Sequence, residues 1–289
     1  NSDDVWHPQK LEIQLEYLSR NTNIKACFTK AYFINEQGEN YEEDHPFKKI
    51  FDSENKNRFE WLSYFFEIQN CLCHPSLMIY ADIYKDIGLY DSRLRSLPDF
   101  DMWIRFCLKY DLHIIDEPLV GFRIRENDLN ESGFSHANLI RGSFEQKQVL
   151  NNFSQINSVE DIRKIFPDLH EKLTIKEIPF YLGKRALRSE YPNVQLWGLE
   201  KIFNFLDKEV DSSKEETTYY KNFFDLTGHF DVFGKINLLK IKEKDNLIIQ
   251  LESNIKYLNE KLSLYENSTS WKITKPLRYI KSFFIYKDT

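Results

Sequence analysis

Apolar positions follow two rhythms along the chain, and the rhythm changes near residue 135. From Pro8 a short amphipathic helix is predicted, because Pro suits a first turn and Leu11, Leu15 and Leu18 fall on one face. After the polar break Asn21–Thr22–Asn23, the aromatic and β-branched run Ala26–Ile34 reads as a strand. It ends at the turn signal Asn35–Glu36–Gln37–Gly38. Residues 39–57 are acidic and polar and read as a mobile loop. Phe59–Ile68 looks helical, His74–Tyr80 reads as a buried strand, and Ala81–Ile87 reads as a short helix closed by Gly88. Asp99–Tyr110 is predicted to be a helix with Pro98 near its start and Met102, Trp103, Phe106 and Tyr110 facing inward. His113–Ile124 returns as extended structure around Pro118.

Beyond about Ser135 the strand signals stop. Ala137–Asn151, Val159–Ile165, Pro179–Arg188 and Val194–Leu206 carry helical periodicity, and Asp211–Thr218 is a charged, polar gap. From Ile241 a stricter rhythm begins. Ile241, Ile248, Leu251, Ile255, Leu258, Leu262 and Tyr265 form a heptad seam with Ile mainly at a and Leu mainly at d, interrupted by Lys244. Such a seam favours a parallel homodimer through 241–265; the other reading is a helix packed on its own domain. The stretch 271–287 holds Lys272, Lys275, Arg278, Lys281 and Lys287 with no acid, accompanied by Trp271, Phe283, Phe284 and Tyr286. It reads either as a peripheral contact with an anionic membrane surface or as a solvated tail docked by its aromatics.

Composition narrows the class. The chain has 289 residues, 42% hydrophobic and 29% charged, which is a globular make-up rather than a collagen, a disordered tail or a disulfide miniprotein. Its net charge of −6 argues against a nucleic-acid partner. No run of about 18 apolar residues or signal peptide is evident, and the chain opens on polar residues. Cys27, Cys71, Cys73 and Cys107 sit in apolar runs and read as reduced, buried thiols of a cytoplasmic protein.

Two clusters carry candidate chemistry. Asn1–Ser2–Asp3–Asp4–Val5–Trp6 sets adjacent carboxylates on a turn before a helix. This suits a hard divalent cation that completes its shell with substrate phosphates, although alone it also reads as a helix N-cap. Leu97–Pro98–Asp99–Phe100–Asp101–Met102–Trp103–Ile104–Arg105 places Asp99 at a helix start, where the helix dipole favours a carboxylate able to act as general base. Asp101 and Arg105, four apart with the acid first, also suit a helix-surface pair. Cys71–Leu72–Cys73–His74 lacks a second ligand pair for zinc, and His74 reads as a hydrogen-bonded cleft wall.

Taken in order, these segments resemble family-two inverting glycosyltransferases of the glycosyltransferase A fold. The stretch Asn1–Glu12 resembles the aspartate-rich turn after the donor-binding half, and Lys25–Gly38 the strand that follows it. Cys73–Ile79, Ile87–Asp91, Asp99–Arg105, Pro118–Val120 and Phe122–Ile124 resemble the acceptor half. Ser268–Arg278 more loosely resembles tails of bacterial polysaccharide glycosyltransferases. The resemblance implies Asp3 and Asp4 as ligands of Mg or Mn and Asp99 as the base that deprotonates the acceptor. It places Asn1, Trp6, His74, Asp101 and Arg105 on the donor-diphosphate or acceptor side, with Arg105 bracing the helix start. The implied partners are a nucleotide-sugar donor and a glycan or lipid-linked glycan acceptor, in bacterial surface polysaccharide synthesis at the inner face of the cytoplasmic membrane.

Three departures stand out. Asn1 replaces the usual first Asp, Pro98 stands where Glu often precedes the base, and Arg125 occupies the place of a His able to reach the metal. No Gln-x-x-Arg-Trp of processive synthases is present, which points to addition of single sugars. The expected fold is an incomplete glycosyltransferase A-type α/β domain over 1–135, a helical region over 136–235, a coiled-coil-like helix over 236–265 and a basic aromatic tail over 266–289. Because the resemblance begins at the metal motif, the chain reads as a fragment that is inactive on its own. The alternatives are a non-catalytic, dimerising, membrane-apposed sugar-binding or scaffold module and, more remotely, a metal-dependent phosphohydrolase using Asp3 and Asp4.

Overall fold

The computed structural model describes residues 3–125, 135–209 and 214–274, with side chains throughout except at 207–209 and 214–220. The first part runs β1 (Val5–Trp6), α1 (Lys10–Arg20), β2 (Ile24–Ile34), α2 (Pro46–Ile50), α3 (Arg58–Glu67), β3 (Met78–Ile79), α4 (Ile83–Ile87), α5 (Pro98–Cys107) and β4 (Asp111–Arg123). Helices follow: α6 (His136–Val149), α7 (Val159–Ile165), α8 (Ile178–Ala186), α9 (Pro192–Glu209), α10 (Lys214–His229) and α11 (Lys235–Asn267). The chain divides into two compact units, one ending at Val232 and one starting at Phe233.

The sheet has strand order β1-β4-β2-β3, with β2 parallel to β4 and the outer pairs antiparallel. Its central strand is apolar on both faces because both are covered. Ala26 and Phe28 join Trp61, Phe100 and Trp103 on one side, while Ile24 and Cys27 join Leu18 and Ile115 on the other. Ile24 and Cys27 are three apart, yet a register irregularity between Ile24 and Ala26 brings them to the same side. The Phe28 ring meets Trp103 edge-on at 4.9 Å, which seats α5 on the sheet.

The helices as far as Trp197 share this core, while Leu187, Leu199, Ile202 and Phe223 form a separate apolar cluster. Phe66 of α3 packs edge-on against Phe153 at 4.9 Å, Phe166 at 5.3 Å and Trp197 at 5.9 Å. Helices α8 and α9 cross at Gly183 and Gly198, where a Cβ on either would lie 2.7–2.8 Å from the other's carbonyl oxygen. Only glycine allows so close an approach of two backbones.

Several expectations need correction. In α1, Leu11 and Leu15 face solvent, and the packed face carries Lys10, Gln14 and Leu18. Segment 39–57 is not a plain loop: it contains α2, Phe51 stacks with Phe33 and Phe47, and both Phe47 and Phe51 meet Phe122 edge-on. His74–Tyr80 is a 3-10 turn, His74–Ser76, followed by the two-residue β3. Lys214–Thr218 belongs to α10 rather than to a gap. No residue of α11 is buried. The tail beyond Thr274 lies outside the described residues. Among the described residues no helix is long and apolar enough to cross a membrane.

Candidate active site

Topology brings the two candidate clusters to one end of the sheet. Strand β1 pairs antiparallel with β4, Val5 opposite Gly121, so Asp3 and Asp4 lie at the carboxyl ends of β4 and its parallel neighbour β2. Carboxyl ends of parallel strands are where open α/β sheets bind ligands. Helix α5 ends four residues before β4 begins and runs back along it, which turns its first residues toward the same end.

Two arginines hold the aspartate turn. The Arg123 backbone N–H donates to Asp4 Oδ1 at 3.0 Å, and its Nε donates to the Asp3 carbonyl at 2.8 Å. Its Nη1 reaches the carbonyls of Asn35 and Glu36 at 2.6 and 2.9 Å, tying the turn to the end of β2. Arg125, at the place expected for a metal-reaching His, instead forms an ion pair with Asp3 Oδ2 at 2.9 Å. Burial raises the Asp4 carboxyl above its ordinary value, and the Arg123 N–H pulls it back. Asn1 lies outside the described residues.

Asp99 sits in the first turn of α5 behind Pro98. Its Oδ2 accepts from Asn70 Nδ2 at 2.9 Å and its Oδ1 from the Phe100 N–H at 2.9 Å. Burial pushes the Asp99 carboxyl up, while the positive form of His74 pulls it down. Burial depresses His74, with Asp99 opposing. His74 Nε2 lies 3.0 Å from Tyr90 Oη, and its ring stands edge-on to Trp103 at 5.7 Å. The neighbouring Cys73 thiol is raised chiefly by burial, with contributions from both Asp4 and Asp99. Both aspartates thus lie within electrostatic reach of Cys73.

Asp101 and Arg105 act as a brace. Asp101 Oδ2 accepts from Arg105 Nε and Nη2 at 2.8 and 2.6 Å, and Oδ1 accepts from Asn152 at 2.7 Å. Arg105 donates onward to the carbonyls of Ile87, Gly88 and Leu89, fixing the segment that leads to Tyr90. Trp6 is 53% exposed, and its ring covers Lys10 Nζ at 4.2 Å.

Sequence reasoning missed the groups that support these residues. Glu145 of α6, 2% exposed, accepts the backbone N–H groups of Arg95, Ser96 and Leu97 at 2.9, 2.7 and 2.8 Å, just before Asp99. Lys10, 1% exposed, donates to Gln14 Oε1 at 2.8 Å, and Gln14 Nε2 donates to the Ser76 carbonyl at 2.8 Å. This fastens the His74 turn to α1. Asn70 gave no sequence signal beyond a polar break, and Glu145 none, because its partners are backbone groups about 50 positions earlier.

The donor set at Asp3 and Asp4 fits a hard divalent cation. Among the described residues, Asp3 Oδ1 and Asp4 Oδ2 carry no hydrogen bond, leaving one hard oxygen on each carboxylate. No group of three or more His, Cys, Asp or Glu side chains converges among the described residues, so further ligands would have to come from substrate or water.

No known protein-family model matches the chain. Over 130 residues it is 35% identical to an uncharacterized glycosyltransferase of Methanocaldococcus jannaschii, a match covering 44% of this chain and 41% of that protein. Over 182 residues it is 23% identical to an uncharacterized glycosyltransferase of Rickettsia prowazekii, covering 63% of this chain and 49% of that protein. A third match, 23% identical over 125 residues, is an uncharacterized glycosyltransferase of Rickettsia typhi, covering 43% of this chain and 38% of that protein. The chain thus spans less than half the length of these curated relatives, and over that span it is similar to proteins named glycosyltransferases.

Proposed function

We propose that this chain carries the acceptor-activating part of an inverting glycosyltransferase of family-two type, with a nucleotide-sugar donor and a glycan or lipid-linked glycan acceptor. The observation that carries the reading is Asp99: a half-buried carboxylate at a helix start, held by Asn70 and the Phe100 N–H, pushed up by burial and pulled down by His74. The similarity to glycosyltransferases supports sugar transfer as the chemistry. The inverting course, the metal and the role in bacterial surface polysaccharide synthesis, on the cytoplasmic side of the membrane, rest on the ordered motifs.

The reaction is one displacement. An acceptor hydroxyl oxygen forms a bond to the anomeric carbon as the bond to the diphosphate oxygen breaks, and the hydroxyl proton passes to Asp99. A carboxylate raised above its ordinary range is a better match for that task near neutral pH. Asn70 and the Phe100 N–H orient the carboxylate, while His74 and Tyr90 wall the acceptor side. A divalent cation held by Asp3 and Asp4 would neutralise charge on the departing diphosphate. The Arg125 guanidinium already offsets one of the two carboxylate charges.

The test, made on the enzyme that carries this chain, is release of nucleoside diphosphate from a panel of nucleotide sugars, with manganese and glycan acceptors. Acceptor-dependent release that falls away in Asp4→Asn supports the reading. Tight binding of a nucleoside diphosphate without turnover on any acceptor would mark a binding module instead.

A further inference from the structure

The long helix α11 presents a seam whose charges choose a partner. In the register with Ile241, Ile248, Ile255 and Leu262 at a, and Lys244, Leu251, Leu258 and Tyr265 at d, every one of these apolar residues is more than half exposed. The flanking g positions are Lys240, Leu247, Asn254 and Lys261, and the e positions are Asp245, Glu252, Asn259 and Glu266. A parallel coiled coil brings each g residue beside the e residue five positions on in the other helix. For two copies in register this sets Lys240 beside Asp245 of the second copy, Asn254 beside its Asn259, and Lys261 beside its Glu266. All charged contacts of that kind are attractive.

An antiparallel pairing of the same seam, with Ile248 opposite Leu258 of the second copy, brings no opposite charges together and sets Glu252 against Glu252. The solitary Lys244 points the same way. An in-register pair confines both lysines to a single layer, whereas a slip by one heptad sets one Lys244 against Leu251 and the other against Asn237, which spreads them over two layers. Lys261 and Glu266 are also informative for what they lack. Their neighbours three and four positions away are Tyr257, Leu258, Leu264 and Tyr265 for the first, and Leu262, Ser263, Thr269 and Ser270 for the second. Neither has an opposite charge within reach on its own helix.

We infer that α11 forms a parallel, in-register two-stranded coiled coil with a second copy of this chain. The seam from Ile241 to Tyr265 spans about 37 Å at the helical rise per residue, with Ile at three of the four a positions and Leu at two of the four d positions, the pairing that such dimers prefer.

Sedimentation equilibrium of the chain at about 100 µM tests this, a concentration at which a micromolar dissociation constant leaves mostly dimer. The expected mass is twice 34.8 kDa, and Leu258→Lys should return the monomer with unchanged circular dichroism of the first unit. Lys261→Glu turns two attractive contacts per dimer into repulsive ones and should weaken association roughly tenfold. The double variant Lys261→Glu/Glu266→Lys should restore it, and an equimolar mixture of the two single variants should form mainly heterodimer. A wild-type monomer at this concentration, or a dimer that ignores Leu258→Lys, would overturn the interface. A double variant no tighter than Lys261→Glu would overturn the parallel register.

Discussion

Glu145 offers the sharpest test of how the helical part supports the α5 start. Its Oε1 accepts the Arg95 N–H, and its Oε2 accepts those of Ser96 and Leu97. Glu145→Gln keeps the volume and changes the chemistry. The amide oxygen can retain the Ser96 and Leu97 bonds at neutral strength, losing about half of each charge-assisted contribution. The amide nitrogen then faces the Arg95 N–H, donor against donor, and leaves it unsatisfied at about 1–3 kcal/mol. The total is about 2.5–6 kcal/mol, a substantial part of the 5–15 kcal/mol that typically separates folded from unfolded states. For a unit of this size, about 2–4 °C per kcal/mol converts that to a fall in melting temperature of at least about 5 °C. Hydrogen exchange at Ser96 and Leu97 should accelerate in the same variant, because their amides answer to this side chain and to no helix ladder. A melting shift below about 2 °C with unchanged exchange would refute the assignment of Glu145 as the strut under Asp99.

Three further outcomes follow from particular contacts. Gly198→Ala should destabilise the first unit by about 1–3 kcal/mol in denaturant unfolding, because its Cβ would lie 2.7 Å from the Gly183 carbonyl oxygen. An unchanged midpoint would mean that α8 and α9 do not cross there. All four thiols are buried, with Cys27 pushed up to about 12 by desolvation, so an aromatic disulfide reagent should label almost none in the native protein and all four after unfolding; fast labelling of one native thiol would contradict that burial. In pH profiles of kcat/KM, the acid limb should lie above the ordinary aspartate value of 3.8, since Asp99 must lose a proton that burial helps it keep. His74→Gln removes the positive charge that pulls Asp99 down, so the limb should move to higher pH, and a move to lower pH would sink the pairing.

The sequence patterns that matched the structure are those whose partners lie nearby along the chain. Pro98 and the apolar spacing of Met102, Trp103 and Phe106 located α5, and Gly88 marked the end of α4 with φ of 82°. Where tertiary contacts decide, periodicity misled. Leu11 and Leu15 looked like the inner face of α1, yet Lys10 and Gln14 are the buried pair: Lys10 donates to Gln14, and Gln14 donates to the Ser76 carbonyl of the His74 turn. The acidic surroundings of 39–57 concealed Phe47 and Phe51, whose rings close on Phe33 and Phe122 from strands on either side. The candidate site divides the same way. Asp3, Asp4, His74 and Asp99 could be singled out by residue type and order, whereas Asn70 and Glu145 matter only through positions far away in sequence.

The central claim is that Asp99 takes the proton of an acceptor hydroxyl. Acceptor-dependent turnover of the enzyme carrying this chain, compared between wild type and Asp99→Asn at equal folded fraction, tests it most directly. The substitution keeps the size of the side chain and removes the base. The account predicts a loss of about 10²–10⁴-fold in kcat, the scale of general-base catalysis, with a melting temperature within a few degrees of wild type. Turnover of Asp99→Asn within threefold of wild type would contradict it.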